Sequence, residues 1–198
     1  MTETDVGSLT LVGGALALDF TNTAAGRDTA SPAERLRAGA DVVAFAAHAG
    51  GIDDATARRV GATLADAGAL LDHARTLRET IFRIGAAVAA GGQPSGGDLE
   101  TLKDFARKTM AAATLAPAED GGYRLDFSAA PAEAALLGPI AWSAIELLAG
   151  LNPARLKQCA GHGCGWLFLD LSKNNSRRWC DMATCGNRSK AQRHRERR

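Results

Sequence analysis

Apolar residues recur every three or four positions through most of residues 36–150, and this period predicts a series of amphipathic helices. Residues typical of helix starts and stops divide the series, since Ser-Pro-x-Glu suits a capped first turn and paired glycines suit a helix end. The predicted boundaries, in chain order, are a start at Ser31-Pro32-Ala33-Glu34, a stop at Gly50-Gly51, a start at Asp53-Asp54, a stop at Gly91-Gly92, a start at Ser95 or Asp98, and a last helix from Pro131 to Gly150.

Two other stretches predict short strands. Leu9–Val12 and Ala15–Phe20 flank Gly13-Gly14, which indicates a β-hairpin or two short strands near the start of the chain. Residues 114–117 and 123–127 alternate in polarity around an Asp-Gly turn and predict a second hairpin. The fold class that follows is α+β, with a mostly helical N-terminal domain that carries short β-hairpins.

Polar side chains end the second of these early runs. Asp19, Asn22 and Thr23 follow apolar residues, at a place where a small-molecule pocket could open at the end of a strand. The same residue types are common as turn and helix-capping groups, and that interpretation is favoured for any one of them.

The four cysteines of the protein are Cys159, Cys164, Cys180 and Cys185, all in its last fifth. Their spacing is Cys-x4-Cys, then fifteen residues, then Cys-x4-Cys, and two close pairs across a hairpin-sized gap can bind one tetrahedral metal. Four thiolates favour zinc, in a structural site, because a catalytic zinc needs an open position. Disulfides would need an oxidising compartment. His162 could substitute as a ligand, but four cysteines already complete the shell.

The residues around the cysteines predict a treble-clef-like zinc module over residues 155–198, after a domain over residues 1–154. Trp166–Leu169 reads as a strand that leaves the first cysteine pair, which makes a small hairpin. Cys185 is expected at the start of a terminal helix, where the free N–H groups favour a thiolate.

Charge is divided unequally between these two regions. Residues 155–198 hold eleven Lys and Arg residues against three acidic residues, a net charge of +8, which leaves −7 for residues 1–154. A basic module with a nearly all-polar terminal helix suits a polyanion such as nucleic acid. The candidate nucleic-acid contacts are Arg177, Arg178, Asn187, Arg188, Lys190, Arg193 and Arg195.

Other roles for these residues stay open. A basic C-terminal run can be a solubilising tail. Arg177 and Arg178 could pair with Asp170 or offset the charge of the thiolates, and Arg188 could bind backbone carbonyls within the module.

The run Cys185-Gly186-Asn187-Arg188, preceded by Ser176-Arg177-Arg178-Trp179-Cys180, resembles the CGNR zinc finger family of bacterial proteins. Leu16–Thr23 resembles the opening strand of the ABATE domain that precedes this finger in the family. The resemblance implies a stress-response transcription regulator with a DNA-binding finger. Asn175 departs from the family pattern, which has glycine in that turn, but Asn tolerates the left-handed conformation.

The remaining features argue against a membrane protein, a secreted protein and an enzyme. Apolar runs stay shorter than the roughly eighteen residues of a membrane helix, and the first 25 residues do not resemble a signal peptide, so a cytoplasmic protein is expected. Phosphate-loop and nucleophile motifs are absent, so an enzyme is not expected. The leading hypothesis is a DNA-binding regulator whose N-terminal domain senses a small ligand or forms a homodimer. The alternatives are an RNA-binding protein, or a zinc-stabilised docking module beside a small-molecule site near Asp19 and Asn22.

Overall fold

The helical period of the sequence folds into seven α-helices, joined by three pairs of short antiparallel strands, in the part of the chain that is described here. That part of the computed structural model comprises residues 5–27, 29–64, 66–119 and 121–196. The helices are α1 (Leu16–Thr21), α2 (Gly39–His48), α3 (Asp54–Thr63), α4 (Ala67–Ala89), α5 (Gly96–Met110), α6 (Ala132–Gly150) and α7 (Asn187–Glu196). The strand pairs are β1 (Ala24–Ala25) with β2 (Ala33–Glu34), β3 (Thr114–Pro117) with β4 (Tyr123–Asp126), and β5 (Leu156–Gln158) with β6 (Leu167–Leu169).

Capping side chains set most of the predicted helix boundaries. Asp53 accepts a hydrogen bond from the Thr56 amide at 2.7 Å and Ser95 accepts one from the Asp98 amide at 3.0 Å, which confirms both predicted starts. Past the ends of α2 and α4, Gly50 and Gly91 have φ values of +72° and +75°. Such left-handed residues end helices at little steric cost when they are glycine, and both predicted stops are confirmed.

The predicted strand over residues 15–20 is wrong, because these residues form helix α1. The helix is buried on nearly all sides: Phe20 lies in the main core, while Leu18 lies in a second cluster with Leu156 and Leu167. Burial on both sides produces a run that is apolar except for Asp19, and such a short run does not distinguish a strand from a helix.

The predicted helix start at Ser31 is also wrong. Glu34 lies in β2, and both of its carboxylate oxygens accept hydrogen bonds from the Arg78 guanidinium at 2.6 Å. This bidentate pair with a buried arginine of α4 outweighs the local capping signal. Helix α2 starts instead at Gly39, where the Asp41 carboxylate accepts from the Ala38 amide at 2.8 Å.

Helix α6 lies at the centre of the core, packed against α1 and α5. Its length and its mean hydropathy of 1.4 would let it cross a membrane by composition alone, and 44% of its apolar window is buried inside the protein. The predicted hairpin of β3 and β4 is confirmed, with Leu115 opposite Leu125. Asp120, in the turn between β3 and β4, lies outside the described residues.

The β5–β6 hairpin packs directly on the helical region. Leu156 and Leu167 join Leu18 of α1 in one buried cluster. Gly85 of α4 makes room for this contact, since a Cβ at that position would lie 2.6 Å from Cδ1 of Leu167. The C-terminal region is therefore docked against α1 and α4.

Candidate metal centre

The four cysteines converge at one buried point of the C-terminal region. Cys159 follows β5, Cys164 lies in the loop before β6, and Cys180 and Cys185 come from the segment that leads into α7. Their four Sγ atoms lie within 4.8 Å of one another, with Cys180 Sγ at 3.7 Å from both Cys164 Sγ and Cys185 Sγ. A zinc ion bound at 2.3 Å by four sulfurs requires sulfurs about 3.8 Å apart, so the geometry fits.

Backbone groups close around the sulfurs. The Cys159 sulfur accepts hydrogen bonds from the amides of Gly161 at 3.4 Å and Cys180 at 3.3 Å. A Cβ at Gly161 would lie 3.2 Å from Cys185 Sγ, and Gly163 has a φ of +66°. Small, left-handed residues let the chain bend tightly around the site, and the amide donors favour thiolates over thiols.

The electrostatics of the cluster favour a bound cation. Hydrogen bonds from the thiols of Cys164 and Cys180 lower the pKa of Cys159 to about 2. The thiolate formed there in turn raises the pKa of Cys164 to about 12. Without a metal, only part of the cluster ionises, whereas a divalent zinc ion would hold all four sulfurs as thiolates. The cysteines are free of disulfide bonds, and His162 is exposed and outside the cluster.

A π-helical turn over Met182–Gly186 delivers Cys185 and leads directly into α7. Asp181 caps this turn, since its carboxylate accepts from the Ala183 amide at 2.8 Å. The Trp179 indole N–H donates to Ser189 Oγ at 3.1 Å. The first turn of α7 is thus attached to the metal centre, in the predicted treble-clef arrangement.

Comparisons with known families agree with this geometry. The family profile described as CGNR zinc finger matches residues 155–198. A second profile, described as Putative stress-induced transcription regulator (ABATE), matches residues 14–151, which is more than half of the chain. The chain belongs to the ABATE family. A search of curated proteins gives no match.

The CGNR finger contains a second polar centre at Asp170, which is fully buried. One carboxylate oxygen accepts from Lys157 Nζ at 2.6 Å and from the Arg177 amide at 2.7 Å, and the other accepts from the Ser172 amide at 2.9 Å. Burial alone would raise the pKa of Asp170, but these donors lower it well below its ordinary value. The same loop contains Asn175 with a φ of +50°, in the left-handed conformation expected there.

The predicted nucleic-acid contacts fall into two groups. Arg177 binds within the finger: its guanidinium donates to the carbonyls of Trp179 and Cys180 and lies 4.6 Å from the centre of the Phe168 ring. Asn187 donates to the Ala183 carbonyl at 3.1 Å. Of the others, the side chain of Arg193 lies outside the described residues, and the remaining four have exposed side chains. The exposed set is Arg178, Arg188, Lys190 and Arg195.

Lys157, rather than the side chain of Arg177 or Arg178, pairs with Asp170. The role of each candidate in binding nucleic acid stays a prediction.

The three predicted pocket residues are used by the chain itself. Asp19 accepts from the Gly13 amide at 2.7 Å, and Thr23 accepts from the Arg78 guanidinium at 3.3 Å. The Asn22 side chain donates to the Leu167 carbonyl at 2.9 Å and accepts from the Leu167 amide at 3.0 Å. These residues are buried and attach α1 to its neighbours. A ligand at this place stays an untested expectation.

The sequence does not reveal that the Asn22 side chain binds the backbone of Leu167. The Cys159 amide donates to the Trp166 carbonyl, so the alternation of an antiparallel ladder turns the polar backbone groups of Leu167 away from β5. The Asn22 amide satisfies both groups, as a neighbouring strand would. The Leu169 amide likewise donates to the Gly13 carbonyl at 2.8 Å. The ABATE region thus completes the outer edge of the zinc hairpin.

Proposed function

We propose that this protein is a transcription regulator whose CGNR finger binds DNA, mainly through phosphates. The observation that supports this most is the exposure of Arg188, Lys190 and Arg195 on a helix that the metal centre anchors. Within the described residues, these three side chains form no hydrogen bond and no ion pair. With zinc and four thiolates included, the finger retains a net charge of about +6.

The terminal helix suits a polyanion because it has little apolar surface to bury. Its residues are almost all polar, and Ala191 is the one aliphatic residue of 187–198. A helix of this composition gains little from packing on the protein. Its side chains gain more by releasing the counterions condensed on DNA phosphates.

Fluorescence anisotropy of a labelled duplex across a salt series tests this function. The variant Arg188→Gln/Lys190→Gln/Arg195→Gln is expected to bind more weakly and to reduce the salt slope by about 0.9 for each phosphate that the helix no longer neutralises, or about 2.7 in all. The matched control, Arg58→Gln/Arg107→Gln/Lys108→Gln, removes the same charge from exposed positions on α3 and α5. Equal affinity and slope for the two triple variants would contradict the proposal.

RNA is the alternative polyanion, because the same charges would contact either backbone. Competition between unlabelled RNA and duplex DNA for the bound probe separates the two. Preferential displacement by RNA would move the proposal to an RNA-binding regulator.

The effector that we propose for the ABATE region would bind in a groove, and not at Asp19 and Asn22. This groove has a volume of about 1260 Å³ and lies between the β3–β4 hairpin, α3 and α6. Phe127, Trp142 and Leu125 line it, and the hairpin leaves Leu115 and Tyr123 more than two thirds exposed. Ligand screening by quenching of Trp142 fluorescence tests it, with a Trp142→Phe variant as the control.

Exposed apolar residues on a hairpin also suit a homodimer, which is the other role proposed for this region. Sedimentation analysis of the wild type and of Leu115→Ser/Tyr123→Ser distinguishes it, because only a dimer through this hairpin would dissociate in the variant. A cytoplasmic location and a role in stress response belong to the same proposal.

A further inference from the structure

Arg35 has an unusual place in the ABATE region. It follows β2, and its amide donates to the Thr23 carbonyl at 3.1 Å. Its guanidinium carbon lies 5.6 Å from the centre of the Trp166 ring, on the finger side of the contact between the two regions. Trp166 is two residues from the metal-ligating Cys164, and the Trp166 indole N–H donates to the Ala24 carbonyl at 3.1 Å.

Two donors of this guanidinium, Nε and Nη1, are buried and have no hydrogen-bond partner. Buried donors without a hydrogen bond are costly, and burial lowers the pKa of the half-buried Arg35. The adjacent carboxylate of Glu34 offsets part of this cost through its charge but does not bind these donors, since both of its oxygens are bound by Arg78.

Two negative groups act against the effect of burial on the pKa of Arg35: first the sulfur of Cys164, when it is ionised, and then the Glu34 carboxylate. The backbone brings the two regions together here, since the Gly26 amide donates to the Cys164 carbonyl at 3.0 Å. With zinc bound, all four sulfurs are thiolates and the centre carries a net charge of about −2, which strengthens the attraction.

We propose that Arg35 compensates the negative charge of the zinc–tetrathiolate centre, so that the ABATE region supplies part of the electrostatic environment of the metal. Arg35 is a positioning residue and not a ligand. Two of its donors are buried without a partner, and its guanidinium lies beside the ring of Trp166, two residues from Cys164.

The consequence is a link between metal binding and the contact of the two regions. If Arg35 stabilises the loaded centre, then zinc stabilises the docked position of Arg35 by the same free energy. The state of the metal would in this way reach the ABATE region without a ligand from it.

The test compares Arg35→Met, Arg35→Gln and Arg35→Lys in the full chain. Met retains an apolar stem over Trp166 without charge, Gln retains a polar head without charge, and Lys retains the charge. Zinc affinity is measured by competition with a chromophoric chelator. The position of the thiolate-to-metal charge-transfer band is measured after substitution with Co²⁺. Far-UV circular dichroism establishes that each variant is folded, and Arg58→Gln on α3 controls for loss of one positive charge.

We expect Met and Gln to weaken zinc binding 10- to 100-fold, as typical outer-shell substitutions do, and to move the cobalt band to lower energy. Lys should stay within a few-fold of the wild type, as should Arg58→Gln. Unchanged affinity in all variants would overturn the proposal. Equal losses in Lys and Met would also overturn it, since packing rather than charge would then be the cause. Failure to bind DNA would not affect either readout.

Discussion

The contact between Asn22 and Leu167 leads to the sharpest prediction about stability. Asn22→Ala removes one donor and one acceptor from a fully buried site and leaves the amide and the carbonyl of Leu167 without partners. Each buried unsatisfied group costs about 1–3 kcal/mol. A water that enters the vacated space would recover part of the cost, so we expect a net loss of about 3 kcal/mol in the free energy of unfolding.

For a chain of this size, that loss corresponds to a fall in Tm of roughly 6–12 °C. The assay is urea unfolding of the zinc-loaded protein, followed in parallel by tryptophan fluorescence and by far-UV circular dichroism. Two of the three tryptophans, Trp166 and Trp179, lie in the finger, so fluorescence follows the finger more closely than circular dichroism does. If Asn22 couples the two regions, the two transitions coincide in the wild type and separate in the variant.

Two further variants, one at Asn22 and one at an exposed asparagine, test whether the loss of stability comes from the contact with Leu167. Asn22→Asp has the same shape and still accepts from the Leu167 amide, but it places a carboxylate against the Leu167 carbonyl; we expect it to be at least as destabilised as Ala. Asn174→Ala changes an exposed asparagine of the finger and should stay within about 0.5 kcal/mol of the wild type. A loss below about 0.5 kcal/mol for Asn22→Ala would refute the reasoning.

Three other outcomes follow from the packing, the ion pairs and the metal. Gly138→Ala should destabilise the protein by about 1–3 kcal/mol, because its Cβ would lie 2.5 Å from the Phe127 ring. Gly61→Ala, with open space in α3, should stabilise it by about 0.5–1 kcal/mol in the same urea unfolding assay. Glu34→Gln leaves the buried Arg78 less compensated and should cost about 2 kcal/mol at pH 7. The Arg78 hydrogen bonds outweigh burial and lower the pKa of Glu34, so this difference from the wild type should shrink as the pH falls below about 4.5, and a constant difference would contradict it. Removal of zinc by a chelator should separate the fluorescence transition of the finger from the far-UV transition, and coincident transitions would count against a structural metal.

The metal centre could be predicted from the sequence because its information is local. Ligand type, the spacing within each cysteine pair and the length between pairs all lie within 27 residues, and a tetrahedral site restricts the solutions strongly. Helix caps such as Asp53 and Ser95 are local as well, and both are confirmed.

The errors in the fold arise where distant residues decide the local structure. Residues 15–20 form a short, mostly apolar run that suits a strand, yet a helix buries Leu18 and Phe20 in two different clusters. Ser31-Pro32-Ala33-Glu34 suits a helix start, yet Arg78, 44 residues away, binds Glu34 in an extended conformation. Local pattern cannot report a partner so far along the chain.

The same reason explains which site residues sequence reasoning misses. The roles of Asn22 and Arg35 depend on Leu167 and Trp166, whose positions beside them exist only after the finger docks. Asn22 stands out in the sequence as a polar residue after an apolar run, but its partner does not. Arg177, by contrast, stands out for its charge, and the structure places its guanidinium on backbone carbonyls of the finger.

The attachment of residues 13–26 to the zinc hairpin also has a consequence for synthesis on the ribosome. Asn22 and Leu167 are 145 positions apart, so α1 cannot obtain this partner until the residues as far as Leu167 have been made. Contacts of such long range slow folding and leave apolar surface exposed in the meantime. Until then, Leu18 and the face of α4 that packs on β5 and β6 would remain exposed to solvent. Docking of the finger would bury these surfaces and assemble the metal site in one event.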